Sequence, residues 1–371
     1  MPFSAVDAIS PAFHHTRRQL FQPFRFGQWV RLALVGLLAG ELSGGSCNAP
    51  NISNFNVPRH PGTEHFLAPG FAGIDPALYV GLIAVIVIAA FVLGIVFMYI
   101  SSVMRFILFD SVLTKECHIR EGWSQRQGPG WRFFLWKLLY TLVTMGALIV
   151  VVGIPAGTAF ALGWFNKPKE HVVPLVLAGI AVFFVVIILV VAMAVVYVLT
   201  KDFVIPQMAL ENIGALEGWN RLWPMMTAEK GGYAGYVGMK IALALGAAII
   251  LGIIGFIFAL IILIPVGGIA FAAVIAAKSA GIGWTVYTIT LAVVAGCVLL
   301  AIFLSVSALI SVPAIVFFPA YSIYFFAARY PALRAVLYPA PPAPAAPQIP
   351  PVTTPPPIEP PPIPPDPEPI G

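Results

Sequence analysis

The chain has 371 residues, of which 60% are hydrophobic and only 9% are charged, and its formal net charge is +5. A water-soluble domain carries about 25% charged residues, so this composition excludes an ordinary soluble protein and indicates an integral membrane protein. The basic residues flank apolar segments and form no stripe between exposed aromatic residues, which argues against nucleic-acid binding. The lipid bilayer is therefore the first predicted partner.

Six apolar segments are predicted to cross the membrane as helices. Five of them contain no Asp, Glu, Lys or Arg, and each exceeds the ~20 residues that a helix needs to cross a hydrocarbon core. The first segment is shorter and carries Arg31 and Glu41. The predicted fold is all-α and integral to the membrane, in a polytopic domain of residues 1–338 with spans at about 26–42, 77–100, 138–162, 172–199, 241–264 and 284–310.

The distribution of basic residues predicts that both termini lie in the cytoplasm. With the N-terminus inside, sixteen of the 20 Lys and Arg residues fall in cytoplasmic segments and four in external ones. Short cytoplasmic loops carry such an excess of positive charge. The external residues are Arg59, Lys167, Lys169 and Lys278, and the segment Ser43–Pro76 is interpreted as an irregular external loop.

The C-terminal segment differs from the rest of the chain. From Pro339 onward, 17 of the last 33 residues are proline. Proline lacks an amide donor and fixes φ, so neither helix nor sheet is expected there. Residues 339–371 are predicted to form a disordered polyproline II tail, which is one candidate contact for a protein partner.

Short motifs recur on the cytoplasmic side of the predicted spans. Glu121-Gly122-Trp123 reappears as Glu217-Gly218-Trp219. Phe106-Ile107-Leu108 and Phe203-Val204-Ile205 precede these motifs at nearly the same distance. Agreement in order and spacing indicates an internal repeat, although ordinary amphipathic loops remain an alternative.

Each repeat is interpreted as an amphipathic helix in the headgroup plane, followed by a break and then by an outgoing span. Pro206 and Pro224 lie 18 residues apart, as do Pro313 and Pro331. The predicted helix breaks are Pro23, Pro206, Pro224, Pro313 and Pro331. Aromatic residues favour the membrane interface, and the predicted interfacial anchors are Trp123, Trp219, Trp223 and Tyr330.

The segment Lys201–Met208, followed by Glu217-Gly218-Trp219 and Trp223, resembles a family of uncharacterised bacterial polytopic membrane proteins. That family is distantly similar to the membrane domain of some glycerophosphoryl diester phosphodiesterases, and the resemblance covers most of residues 4–338. The catalytic domain, with its His-Arg-Gly signature and acidic metal ligands, is absent. The resemblance implies a multi-pass protein of the bacterial inner (plasma) membrane and does not imply hydrolysis.

No nucleotide-binding or hydrolase motif is present, and the chain is predicted not to be an enzyme. No catalytic, cofactor-binding or metal-binding residue is assigned. The cytoplasmic carboxylates are interpreted as helix caps, solvated groups or partners of Arg120 and Arg221; they are Asp110, Glu116, Glu121, Asp202, Glu211 and Glu217.

Two functions remain open at this point. The first is a structural or accessory membrane protein, whose cytoplasmic interfacial helices and tail contact a protein partner. The second is a transporter or lipid-handling protein for a neutral or amphiphilic substrate, without ion coupling. A continuous polar lining through the helices would favour the second function, and polar groups confined to the inner face would favour the first.

Overall fold

The computed structural model describes residues 4–41, 76–165, 171–279 and 286–339. Most of the external loop and of the proline-rich tail lies outside these residues. Within the described ranges the chain is helical and contains no strand. The helices are α1 (Ile9–Phe21), α2 (Phe26–Ala39), α3 (Pro76–Thr114), α4 (Ile119–Ala161), α5 (Val172–Leu199), a π-helical turn (Thr200–Val204), α6 (Ile205–Glu211), α7 (Ala215–Ala228), α8 (Lys230–Ser279), α9 (Val286–Ala327) and α10 (Pro331–Leu337).

Five of the described helices, α3, α4, α5, α8 and α9, are long and apolar enough to cross a membrane. These helices match the five charge-free segments that the sequence predicted as spans, except that Leu162 follows the end of α4 and that residues 284–285 of the last span lie outside the described residues. Most side chains along their apolar portions are exposed and nearly all of the others are half-buried, as expected for surfaces that face lipid. We call these portions the arms; they comprise residues 80–98, 139–161, 172–197, 241–276 and 287–306.

The predicted span 26–42 is not confirmed. Its helix, α2, has 14 residues and is about 21 Å long, which is short of a hydrocarbon core of ~30 Å. Gln28 Nε2 donates to the carbonyl oxygen of Lys115, and Arg105 Nη2 donates to that of Ala39. α2 therefore runs antiparallel to the C-terminal part of α3. It ends beside Arg105, close to the C-terminal end of the α3 arm.

The buried side chains lie at one end of the arms, in a layer that we call the base. It consists of α1, α2, α6, α7 and α10 together with the adjoining ends of α3, α4, α5, α8 and α9. Phe203 is fully buried at its centre, with ring centroids 5.0 Å from Tyr236 and 5.1 Å from Phe326. Such aromatic pairs each contribute about 0.5–1.5 kcal/mol beyond their burial. Packing in the base therefore holds the arms together at one end.

The sequence repeat corresponds to two similar helix corners. α3 and α6 end before residues in the left-handed region, Lys115 with φ 64° and Asn212 with φ 56°. In the next helix, a methyl group on Gly122 would lie 3.1 Å from Ile107 Cγ1, and one on Gly218 would lie 2.7 Å from Val204 Cγ1. In both corners the glycine of the repeated motif thus packs on the middle residue of the apolar triplet.

The predicted proline breaks have different outcomes. Pro23 lies between α1 and α2, and Pro331 is the first residue of α10. Pro206 is in the first turn of α6, directly after the π-helical turn. Pro224 lies inside α7 and Pro313 inside α9, so these two expected breaks are corrected. A proline removes one backbone hydrogen bond, and packing in the base offsets this loss.

The break that follows Glu217-Gly218-Trp219 comes a few residues after Pro224. It is at Glu229, with φ −134° and ψ 55°, between α7 and α8. Arg329 holds this corner, because its Nε and Nη2 atoms each donate to Glu229 at 2.7 Å. No comparable break follows Glu121-Gly122-Trp123, since α4 continues from Ile119 through Trp123 into its arm. It therefore has no separate interfacial helix.

Candidate functional site

Charged side chains meet in a largely buried layer where the arms leave the base. They come from α3, α4, α8, the π-helical turn and the residue that follows the α2 cap. Asp202 is 2% exposed and Arg105 5% exposed, which is unusual for charged groups unless they are paired. We call this set the charged layer; its members are Glu41, Arg105, Lys137, Lys201, Asp202 and Lys240.

Glu41 connects the N-terminal part of the chain to two other helices. Arg105 Nη1 donates to Glu41 Oε1 at 3.1 Å, and Lys201 Nζ donates to Glu41 Oε2. Arg105 Nη2 also donates to the carbonyl oxygen of Ala39 at 2.7 Å. Both carboxylate oxygens therefore have a cationic partner, as a buried charge requires.

Asp202 forms the second ion pair of the charged layer. Its Oδ2 accepts a hydrogen bond from Tyr236 at 2.9 Å and is paired with Lys240 Nζ. Tyr236 in turn stacks on Tyr321, with ring centroids 5.2 Å apart. This pair therefore links the end of α5 to α8 and α9.

The π-helical turn Thr200–Val204 places Lys201 and Asp202 in this layer. A π turn adds one residue to the helical repeat, and such turns are frequent at functional sites. Trp219 Nε1 donates to Thr200 Oγ1 at 3.0 Å, so α7 packs against the beginning of the turn. The two neighbouring charges pair with different elements, Lys201 with Glu41 and Asp202 with Lys240.

The charged layer has an excess of positive charge. It contains four cationic and two anionic side chains, which leaves a net charge of about +2 at neutral pH. Lys137 has no carboxylate partner within ion-pair distance among the residues that the structure describes. Its Nζ donates to Ser101 Oγ at 3.2 Å.

Two cavities adjoin charged residues. The cavity inside the charged layer has a volume of about 20 Å³, which is room for one water molecule. A wider and more open cavity of about 640 Å³ lies at the start of α4, beside Arg31, His118 and Arg120. In the described part of the chain, no three His, Cys, Asp or Glu side chains are grouped closely enough to bind a metal ion.

His15 attaches α1 to the base. Its Nε2 lies 2.8 Å from the carbonyl oxygen of Val112 and its Nδ1 lies 3.2 Å from the hydroxyl of Tyr324. A carbonyl oxygen only accepts, so the proton is on Nε2. Burial lowers the pKa of His15 below its ordinary value of 6.5, and the nearby charge of Lys115 lowers it further. The ring is therefore neutral at pH 7.

Three of the four predicted interfacial anchors pack against protein. Tyr330 is 5% exposed and its hydroxyl donates to Glu211. Trp219 contacts Thr200, and Trp123 packs edge-on against Tyr99 at 6.2 Å. Trp223 is 61% exposed and faces outward from α7. Anchoring of these residues in the headgroup region stays a prediction.

The carboxylates only partly follow the sequence interpretation. Arg221 Nη2 donates to Glu217 at 2.6 Å. The two residues are four positions apart in one helix, and the sequence predicted Arg221 as a partner of the carboxylates. Asp110 pairs with Arg126 at 2.6 Å, not with Arg120. Asp202, interpreted as capping, paired or solvated, is buried. One signal in the sequence does mark the layer, because Lys137, Lys201 and Lys240 each adjoin a predicted span or lie within two residues of it.

The arms and the base together define a polytopic α-helical membrane protein, in which the charged groups of the described residues are concentrated on one side. Residues 3–336 match the family described as "Family of unknown function (DUF7544)", and the chain belongs to that family. No curated protein and no solved structure matches the chain. The family match ends at the last turn of α10, so the proline-rich tail lies beyond the part that defines the family.

Proposed function

We propose that this protein is a structural or accessory protein of the membrane and not an enzyme. In this proposal the arms anchor the chain in the bilayer, and the base presents a fixed surface to a protein partner. The observation that carries the proposal is the distribution of polar groups. Charged side chains are concentrated in the base, whereas the exposed side chains of the described arms are almost entirely apolar.

Hydroxyl groups along the arms also favour this function over transport. Thr141, Thr144 and Ser305 each donate to the carbonyl oxygen four residues earlier in their own helix, at 2.8 Å. A hydroxyl bonded in this way has its one donor engaged within its own helix and can only accept a hydrogen bond from a polar substrate. The described arms therefore give no support to a continuous polar path, which the transporter alternative requires.

The proposal includes an orientation. The base and the charged layer contain most of the basic residues of the chain, and the positive-inside rule assigns such a side to the cytoplasm. α1 and α10 both belong to the base, which supports the prediction that both termini are cytoplasmic. A bacterial inner-membrane location and a distant likeness to the membrane domain of glycerophosphoryl diester phosphodiesterases are part of the same proposal.

The six predicted spans remain part of the proposed topology, although five long apolar helices are described. Glu41 lies beside Arg105, at the base end of the α3 arm, whereas Pro76 begins α3 at the opposite end. The residues between Glu41 and Pro76 lie outside the described part of the chain.

Cysteine labelling in intact cells tests this topology. In a variant without native cysteines, an impermeant maleimide is expected to label single cysteines at positions 54 and 167 from outside. Cysteines at Gln125 and Glu217, which are exposed on the base, are expected to react only after the membrane is permeabilised. Labelling of Gln125→Cys in intact cells would contradict the orientation.

Photo-crosslinking in living cells tests the accessory function. A photoreactive amino acid at Arg18 or Gln125, both exposed on the base, is expected to form an adduct with one and the same protein. The matched positions Phe183 and Val191, exposed on the arm of α5, are expected to react mainly with lipid. If neither base position yields a common protein adduct, the proposal is rejected.

A further inference from the structure

The ammonium group of Lys137 is positioned at the junction between the base and the lipid-facing surface of α4. The preceding turn packs Phe133 and Phe134 into the protein, whereas Leu135 and Leu139, on either side of Lys137, are 47% and 54% exposed. Lys137 itself is half-buried. A flexible lysine at this position can extend its ammonium group to the edge of the hydrocarbon core.

The hydrogen-bonding capacity of Lys137 is only partly used. An ammonium group has three donors, and the structure gives Lys137 Nζ one partner, Ser101 Oγ at 3.2 Å. Ser101 is neutral and 7% exposed, so it does not balance the charge. Glu41 and Asp202, the acidic members of the charged layer, form their ion pairs with Arg105, Lys201 and Lys240.

Aromatic side chains surround this position. Trp136 stacks on Tyr140 with ring centroids 5.2 Å apart, and Tyr140 lies 6.0 Å from Tyr197. The guanidinium carbon of Arg105 is 5.9 Å from the centre of the Tyr197 ring. Trp and Tyr are enriched at the level of lipid headgroups, so these rings indicate that Lys137 lies at that level.

We propose that Lys137 binds the phosphate of an anionic lipid headgroup where α4 leaves the base. The bound phosphate accepts hydrogen bonds from the free donors of Lys137 and reduces the excess positive charge of the layer. Basic sites between membrane helices bind anionic headgroups in this way. The cavity inside the layer is not lined by Lys137 and, at about 20 Å³, is too small for a phosphate group, so the headgroup approaches from the lipid side of Lys137. The inference does not depend on the accessory role.

Lipid titration of the purified full-length protein in detergent tests this site. Phosphatidylglycerol is expected to raise the melting temperature of the wild type more than phosphatidylcholine does. In Lys137→Gln the concentration of phosphatidylglycerol needed for half of this effect is expected to rise about fivefold, the effect of one basic residue near an anionic surface. Lys137→Arg should restore the wild-type response.

A matched control removes one positive charge elsewhere in the base. Lys230, the exposed first residue of α8, is changed to Gln, and this variant is expected to respond to phosphatidylglycerol as the wild type does. An equal response in Lys137→Gln and the wild type would overturn the proposal. So would an equal effect of inorganic phosphate, because the site would then bind free phosphate and not a lipid.

Discussion

Glu41→Gln is expected to lower the free energy of unfolding by about 3–5 kcal/mol, the cost of removing one partner from a buried ion pair. The variant leaves Arg105 and Lys201 without their shared carboxylate, and both cations are largely buried. The predicted effect is measured by denaturant unfolding in detergent micelles, followed by near-UV circular dichroism. Loss of the near-UV signal reports loss of aromatic packing in the base.

Glu116→Gln is the matched control for this prediction. Glu116 is 61% exposed and contacts His118 and Arg25 at the surface, where an ion pair contributes about 0–1 kcal/mol. The two variants remove the same charge from the same side of the molecule. Equal losses of stability would mean that the charged layer is open to water, which contradicts its burial.

Gly130→Ala is expected to destabilise the base by about 1–3 kcal/mol, the range for overpacking in a well-packed core. A methyl group on Gly130 would lie 2.7 Å from Val103 Cγ2 and 3.2 Å from the backbone Cα of Val103. Because a backbone atom of α3 is involved, a side-chain rotation alone does not relieve the contact. α3 and α4 are therefore expected to separate, with a lower melting temperature in detergent.

Gly128→Ala, two residues earlier in the same helix, is the matched control. A methyl group there meets nothing within 4 Å, so the variant removes only the unfavourable helix propensity of glycine. Its expected effect is neutral or stabilising, by up to about 0.5–1 kcal/mol. If Gly130→Ala were as stable as Gly128→Ala, the close approach of α3 and α4 at Val103 would be wrong.

The sequence predicted the five long apolar helices because a charge-free run of more than 20 residues has few alternatives in a membrane protein. It did not predict the end of α2. Residues 26–42 have nearly the length of a span, and nothing local indicates that Glu41 pairs with Arg105 and Lys201, which are 64 and 160 residues away. Tertiary pairing of a charge decides such a boundary, and local composition does not contain that information.

Two of the five proline predictions, Pro224 and Pro313, failed for a related reason. Pro23 and Pro331 both mark helix boundaries, as predicted. Pro313 lies in α9 between Val312 and Ile315, which are buried against the rest of the base. The energy of that packing keeps the helix continuous despite one missing hydrogen bond. Whether a proline breaks a helix therefore depends on contacts that lie far away in the sequence.

The sequence did not identify the candidate site, because it gave no sign that these charged residues meet. Lys137, Lys201 and Lys240 were interpreted as topology signals, and Asp202 as a capping, paired or solvated group. That interpretation assigns each charge to water or to a near neighbour. In the structure they meet because the ends of α4, α5 and α8 lie at the same level, which follows from the packing of Phe203 and Tyr236 in the base.

The long-range pairing of Glu41 has a consequence for biosynthesis. Chains are synthesised at about 5–20 residues per second, so the 160 residues that separate Glu41 from Lys201 take about 8–32 s to appear. The carbonyl oxygen of Ala5 accepts a hydrogen bond from Tyr321. This bond can form only after about twice that time, because 316 residues separate the two. The N-terminal helices can pair with α3 early, but they must remain near the membrane without their later partners while the following helices are inserted. The base is completed only when the last arm has left the ribosome.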